Sequence, residues 1–404
     1  MERRPIIYLD NNATTRVDDA VLEAMRPYFV EEYANASSRH GAGALARAAV
    51  EVARGQLARL IGAQSNEIVF TSGATESINL ALKGMAEALG ARGRHIVTVE
   101  TEHRAVLDTC EALAGAGFEI TRLGVDRQGR VDVETLRAAL RQTTILVSIM
   151  AANNEIGTLA PLREIGRLCR QHGVVFHSDA TQAAGRMPID LRELPIDLLS
   201  LSAHKMHGPK GVGALVVRSR PGVPRPVPQL HGGGHEEGLR SGTLNVPAIV
   251  GFGKAAALGA ERLEADRELT RRLRDRLITG VCTRLEGVVL NAREADRLPH
   301  TASLTFGGVR ADRLLSELKE IAASTGSACS SARPEPSHVL RSIGLAKEEI
   351  LSTARFGVSR FTTFEEIDTA VDRIVEVVGR LRDRSQGRFT SRDAAQLYEG
   401  NHRA

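Results

Sequence analysis

The sequence predicts an α/β protein built on a parallel sheet with crossover helices, followed by a smaller α+β unit. Short apolar runs alternate with helical patterns from about residue 60 to 218. A Pro- and Gly-rich stretch, SRPGVPRPVPQLHGGGHEEGLRSGTLNVP, then breaks the alternation over residues 219–247 as a long ordered loop or a boundary. The last third returns to strands and helices in a pattern of its own. A chain of 404 residues exceeds the size at which one core stops growing, so two domains are expected.

In chain order, the strand-like runs are EIVF (67–70), HIVTV (95–99), ILVSIM (145–150), VVFH (174–177), LLSLS (198–202) and ALVV (214–217). Helix-like stretches such as ESINLALKGMAEAL and LREIGRLCRQHG lie between them, as parallel strands require. A long amphipathic pattern over about 248–285 bridges the two units. Beyond it come strand TASLTF, helix ADRLLSELKE, strand IAAS, a loop carrying Cys329, strand RFGVSRF and a closing helix. Thr363 and Glu366 have the spacing of a capping box for that helix. After about residue 384 the chain reads as a polar, loosely held tail.

Composition narrows the function classes. Hydrophobic residues are 42% and charged residues 25%, ordinary values for a globular protein, and the net charge is only +4. Aromatics are 3% and Trp is absent, which speaks against stacking on nucleic acid. No apolar run is long enough to cross a bilayer, and MERRPIIYLDNN lacks an apolar region with a small-residue cleavage site, so a cytosolic protein is expected. The cysteines at 110, 169, 282 and 329 form no CxxC and no zinc spacing. The first three lie in helix-like contexts and read as quiet thiols. His204 and His207 lack the carboxylate or thiolate set of a metal site, and no metal is expected.

Ligands of an open parallel sheet bind beyond the carboxyl ends of its strands. Here the strands deposit polar residues at that point. TSGATES follows EIVF, ETEH follows HIVTV, and Asn153 and Asn154 follow ILVSIM. Asp179 and Gln182 follow VVFH, and His204 and Lys205 follow LLSLS. TSGATES would expose the N–H groups of Ala74 and Thr75 at a helix N-terminus, a natural phosphate seat. Taken alone it reads as an ordinary capped turn with Thr75 as N-cap. Asp179 reads either as an ion-pair carboxylate or as one held against a ring nitrogen, and His103 as a loop histidine or a ring stacked on a flat cofactor. Lys205, after a buried strand and among small polar residues, fits a desolvated Schiff-base nucleophile. Lys210, in a Gly/Pro turn, reads as structural. Cys329 sits in TGSACSSARPEPS, where no apolar periodicity buries the thiol, and so reads as reactive on a mobile loop.

Taken together, YLDNNATT (8–15), TSGATES (71–77), TEHRAVLD (101–108), ANNEIGT (152–158), HSDATQAAG (177–185), SAHKMHGPKG (202–211), GGGHEEGLRSGT (232–243), STGSACSS (324–331) and RFGVSRFT (355–362) resemble the cysteine desulfurases of the NifS/IscS-like group. The likeness covers nearly the whole chain in order. It implies a pyridoxal-phosphate fold of type I, with a large, mostly parallel seven-stranded sheet domain (17–260) and a smaller α+β domain (1–16 with 261–385) carrying the Cys329 loop. Residues 386–404 would be a polar tail. It also implies pyridoxal phosphate on Lys205, with His103 stacked on its ring, Asp179 at the ring nitrogen and Gln182 at the phenolate oxygen. The phosphate would rest on Ala74, Thr75, Ser202 and His204, with Ala203 in the same stretch, and Thr243 would reach over from the partner subunit of a homodimer. Asn154 and Arg355 would hold the carboxylate of L-cysteine, and Cys329 would take the sulfur as a persulfide. The sulfur acceptor implied is an iron–sulfur scaffold protein.

Some positions depart from the family pattern: Ala36 stands where many relatives have Pro, and Ala203 where Gly is common. Thr325 and Ser330 exchange Ser and Thr around the cysteine. None removes a functional side chain. The alternatives are a selenocysteine lyase, another fold-type I enzyme such as an aminotransferase, and a non-catalytic sulfur-assembly partner that has kept the fold. An aminotransferase has no need of a mobile cysteine, and a non-catalytic descendant would not be expected to retain Lys205, His103, Asp179, Gln182 and Cys329 together.

Overall fold

The computed structural model describes residues 6–325 and 336–399, with side chains through residue 384. Twelve strands lie among the described residues: β1 (Ile7–Tyr8), β2 (Ile68–Thr71), β3 (His95–Val99), β4 (Glu119–Leu123), β5 (Thr144–Ser148), β6 (Val175–Asp179), β7 (Leu198–Ser202), β8 (Gly213–Val217), β9 (Val288–Leu290), β10 (Thr301–Phe306), β11 (Ile321–Ala322) and β12 (Thr353–Gly357). Seven of them form one sheet in the order β2-β8-β7-β6-β5-β3-β4. β8 pairs antiparallel with both neighbours, and every other pairing in that sheet is parallel.

The six expected strands are all present, and their apolar runs have a simple cause. Val97, Val147, Phe176, Leu199, Leu201, Ala214 and Val216 point into one core, while Ile96, Leu146, Val175, Leu198, Leu215 and Val217 point into the other. Successive side chains alternate between faces, so a sheet covered by helices on both sides needs apolar residues at every position. Two features differ from the sequence reading. β4 was not expected: it is an edge strand whose EITRL is mostly exposed or half-buried, so it carries no apolar run. β8 runs against the others because residues 203–212, which join it to β7, leave no room for a crossover helix.

A second sheet, β12-β10-β9, is antiparallel throughout. The helix Val246–Cys282 joins the two cores, as its long pattern suggested. Ala248, Ile249, Phe252, Ala255 and Ala256 belong to the core of the large sheet, and Leu273, Leu277 and Val281 to that of the small one. The closing helix adds Ile367, Ala370, Ile374 and Val378 to the small core. Its capping box forms as expected: Thr363 N–H donates to Glu366 Oε2 at 2.9 Å and Glu366 N–H to Thr363 Oγ1 at 3.1 Å. The backbone of that helix runs Phe364–Glu399, past the point where a loose tail was expected.

Beneath the strand ends a buried polar ladder ties the sheet together. His177 bonds Ser148 Oγ at 2.8 Å through Nδ1 and Ser200 Oγ at 2.9 Å through Nε2. Burial pulls the His177 pKa down to about 3, so this ring is a neutral structural strut.

Candidate active site

A cleft of about 530 Å³ opens at the carboxyl ends of β2, β3, β5, β6 and β7. Ala74, Thr75, His103, Asn154, Asp179, Gln182, Ser202, His204, Lys205 and Arg355 all line it. Asn12, Ala13 and Thr14, given no role in the sequence reading, line it as well. Their contribution is largely main-chain: Lys205 Nζ donates to Asn12 O at 2.6 Å and to Ala13 O at 2.7 Å. Carbonyl groups leave no signature in sequence, and this turn lies some 190 residues from the lysine it holds. Arg186 supports the lysine from behind through Lys205 O. Lys210, expected to be purely structural, lines the cleft as an exposed residue.

One end of the cleft suits a phosphate. Gly73, not Thr75, is the N-cap of the helix Ala74–Leu89, whose opening hydrogen bond runs from Ser77 N–H to Gly73 O. The N–H groups of Ala74 and Thr75 are thereby left for an anion at the positive end of the helix dipole. Ser72 N–H is taken by Glu76 Oε2, and Glu76 in turn pairs with Arg240. His204 Nδ1 is hydrogen-bonded to Thr14 Oγ1 at 3.1 Å, and burial, reinforced by Lys205 and Lys210, brings its pKa down to about 4. Gly213 sits so close that a Cβ there would lie 2.6 Å from Gly73 Cα. Gly213→Ala must therefore push the Gly73 turn aside, at a strain of roughly 1–3 kcal/mol. The expected result is cofactor affinity weakened about tenfold or more, read by absorbance titration, with circular dichroism unchanged.

The other groups surround a flat ligand. Asp179 is 5% exposed, with Oδ1 accepting from Thr181 N–H at 2.9 Å. His103 caps the helix Arg104–Gly115 by accepting Ala105 N–H on Nδ1, which places the ring proton on Nε2. Burial lowers its pKa, Asp179 opposes this and Lys205 reinforces it, so the ring is neutral near pH 7. Gln182 donates Nε2–H to Asn12 O at 2.9 Å, and its buried Oε1 has no partner among the described residues. Such an orphaned atom beside an amine, a carboxylate and a helix N-terminus fits a polar aromatic phosphate. Pyridoxal phosphate therefore fits these residues: Lys205 and Asp179 would hold its reactive ring, and Ala74 and Thr75 its phosphate.

Glu102, fully buried behind His103, was not singled out in sequence. Oε1 accepts Met150 N–H, and Oε2 has no partner among the described residues. Burial, then the charge of Asp179, raises its pKa well above the usual carboxylate value, which favours the neutral acid. Glu102→Gln should accordingly keep both the melting temperature and activity within about threefold. Glu102→Ala strands Met150 N–H and should cost about 1–3 kcal/mol in thermal unfolding.

Arg355 lies on β12 with its side chain 2% exposed. NH1 donates to Asn154 O at 3.0 Å and NH2 to Asp10 Oδ1 at 2.9 Å, while Nε has no partner among the described residues. Two expected residues stand elsewhere, and a third falls outside the described residues. Ala203 does not line the cleft: it is fully buried because the turn after β7 directs its methyl into the core of the large sheet. Thr243 is exposed on the loop after β8, outside the cleft of its own chain. Cys329 lies outside the described residues. Ser337, shortly after it, donates to the buried Glu155 Oε2 at 2.6 Å, and His338 Nε2 bonds Glu102 O at 2.9 Å. The chain on the far side of Cys329 is thus anchored beside His103 and Asn154. Among the described residues no three His, Cys, Asp or Glu side chains gather as a metal ion would require.

Comparison with known proteins gives a consistent picture. The Aminotransferase class-V family profile matches residues 7–370. A protein named cysteine desulfurase IscS from Anaeromyxobacter sp. (strain Fw109-5) is 53% identical over 94% of each chain. Its namesake from Methylococcus capsulatus is 49% identical over 93% of each. Among solved structures, one described as a NifS-like protein superposes with a TM-score of 0.86 at 39% identity, covering 93% of this chain and 99% of that one. Another, SspA in complex with cysteine, gives 0.78 at 36% identity over 88% and 99%.

Proposed function

The chain belongs to the class-V aminotransferase family, and from that premise we propose that it is a pyridoxal-phosphate-dependent cysteine desulfurase, converting L-cysteine to L-alanine and taking up the sulfur. The observation that carries this reading is the convergence in one cleft of an amine (Lys205), an anion-binding helix end (Ala74, Thr75) and a buried guanidinium (Arg355). Relatives named cysteine desulfurase over nearly the full length support the sulfur chemistry.

When bound, pyridoxal phosphate supplies an electron sink for charge developing at the substrate α-carbon. Asp179 would hold the ring nitrogen of that group, and the neutral His103 ring would stack on its face. Arg355 and Asn154 orient the substrate carboxylate. Lys205 Nζ, held by the Asn12 and Ala13 carbonyls, is the base that moves the α-proton. The Cys329 thiolate attacks the substrate sulfur: the carbon–sulfur bond breaks with its electron pair left on carbon, and a sulfur–sulfur bond forms on Cys329. A proton then completes alanine.

The sulfur acceptor in this reading is an iron–sulfur scaffold protein. The working unit is a homodimer in the cytosol, with Thr243 completing the partner's phosphate site. Self-association is supported by Leu22, Phe29, Val30 and Tyr33, which are 54%, 59%, 66% and 76% exposed on the first helices and the turn after them. No described helix is long and apolar enough to cross a membrane. The reading is tested by incubating the holoenzyme with L-cysteine, with and without a keto acid. Alanine formed at the same rate in both supports it; amino transfer to the keto acid without alanine assigns an aminotransferase instead.

A further inference from the structure

We propose that Asp10 is a positioning residue for substrate selection, fixing the guanidinium of Arg355 in the attitude that a substrate carboxylate needs. The inference rests on the role given above to Arg355.

A guanidinium carries five N–H donors in one rigid plane. In Arg355 two are committed, NH2 to Asp10 Oδ1 and NH1 to Asn154 O. These two anchors fix the plane, and Nε, buried and without a partner among the described residues, belongs to a side chain that lines the cleft. The backbone of Arg355 is fixed by Ser324, with Arg355 N–H donating to Ser324 O at 2.6 Å and Ser324 N–H to Arg355 O at 3.2 Å. The carboxylate of Asp10 pairs with this buried guanidinium and helps to offset its desolvation.

Asp10 is itself held by backbone. Its carbonyl accepts Ala13 N–H at 2.9 Å, and its backbone bridges to Gly357, two residues past Arg355. On either side, Gly357 N–H donates to Leu9 O at 2.7 Å and Asn11 N–H to Gly357 O at 3.1 Å. The approach is so close that a Cβ at Gly357 would lie 2.0 Å from Asn12 Oδ1. The same turn supplies the Asn12 and Ala13 carbonyls that hold Lys205 Nζ. One short segment therefore sets the spacing between the amine that moves the substrate's α-proton and the guanidinium that meets its carboxylate. Asp10 is the side chain that transmits this spacing to Arg355.

The test compares steady-state kinetics of the holoenzyme for Asp10→Ala, Asp10→Asn and Arg355→Lys. Thermal unfolding and cofactor absorbance first establish that each variant is folded and loaded. Should Asp10→Ala not fold, Asp10→Glu, which displaces the carboxylate by one methylene, carries the same expectation. Asp10→Ala should raise KM for L-cysteine about tenfold or more with kcat within about threefold. Asp10→Asn, whose amide oxygen can accept the same N–H, should recover most of the loss. The inhibition constant of propionate, which probes the carboxylate seat alone, should rise with KM, whereas that of methylamine should not move. An unchanged KM in Asp10→Ala beside a raised one in Arg355→Lys overturns the role of Asp10 and leaves Arg355 in place. An unchanged KM in Arg355→Lys overturns the role of Arg355 itself. An Asp10→Asn variant as impaired as Asp10→Ala, or equal loss of propionate and methylamine binding, also overturns positioning.

Discussion

Lys205→Ala is expected to lose turnover of L-cysteine by about a thousandfold or more, the range attached to removing a positioned base that is also the cofactor's point of attachment. The geometry leaves no substitute. Asn12 O and Ala13 O hold Lys205 Nζ in the cleft, whereas Lys210, which also lines it, is exposed on the turn after it. The fold should survive, because Lys205 is only half-buried and its departure leaves two carbonyls within reach of water. Steady-state alanine production measures the loss. Borohydride reduction followed by peptide mapping checks the assignment separately: the cofactor should be fixed to the Lys205 peptide in the wild type and to none in the variant. Substantial turnover by Lys205→Ala would remove the basis of the whole mechanism.

Cys329→Ser should abolish sulfur release by about a hundredfold or more while leaving cofactor binding intact. A serine hydroxyl is not ionised near pH 7 and cannot replace a thiolate as nucleophile. Nor can another cysteine stand in. Burial pushes the thiols of Cys110 and Cys169 up to about 12, so neither yields thiolate at neutral pH. Cys282 is half-buried at the end of the helix Val246–Cys282, where burial again raises its pKa, and it does not line the cleft. The variant should still change the cofactor absorbance on addition of L-cysteine, which separates failed sulfur transfer from failed binding. Retained desulfuration would exclude Cys329 as the sulfur carrier.

Much of this architecture was legible in the sequence, for identifiable reasons. The inner strands were visible because both faces of the large sheet are buried, which forces unbroken apolar runs such as HIVTV and LLSLS. β4 was hidden because an edge strand need not be apolar. The orientation of β8 was missed because its apolar pattern is the same in either direction; only the short link from Ser202 to Gly213 distinguishes them. The cleft residues were found where side-chain chemistry follows a strand end, as with Asp179 and Lys205. What escaped was chemistry without such a mark: the Asn12 and Ala13 carbonyls, the Asp10 anchor and the buried acid Glu102. Ala203 was drawn into the site by its neighbours, whereas its methyl belongs to the core.

The most direct test of the account is the location of sulfur after limited turnover. The holoenzyme is given L-cysteine without reductant, quenched with an alkylating agent, digested and mapped by mass spectrometry. The account predicts one additional sulfur atom on the Cys329 peptide, formed in step with alanine. Extra sulfur on the Cys110, Cys169 or Cys282 peptides, or alanine formed with no sulfur on the protein, would contradict it.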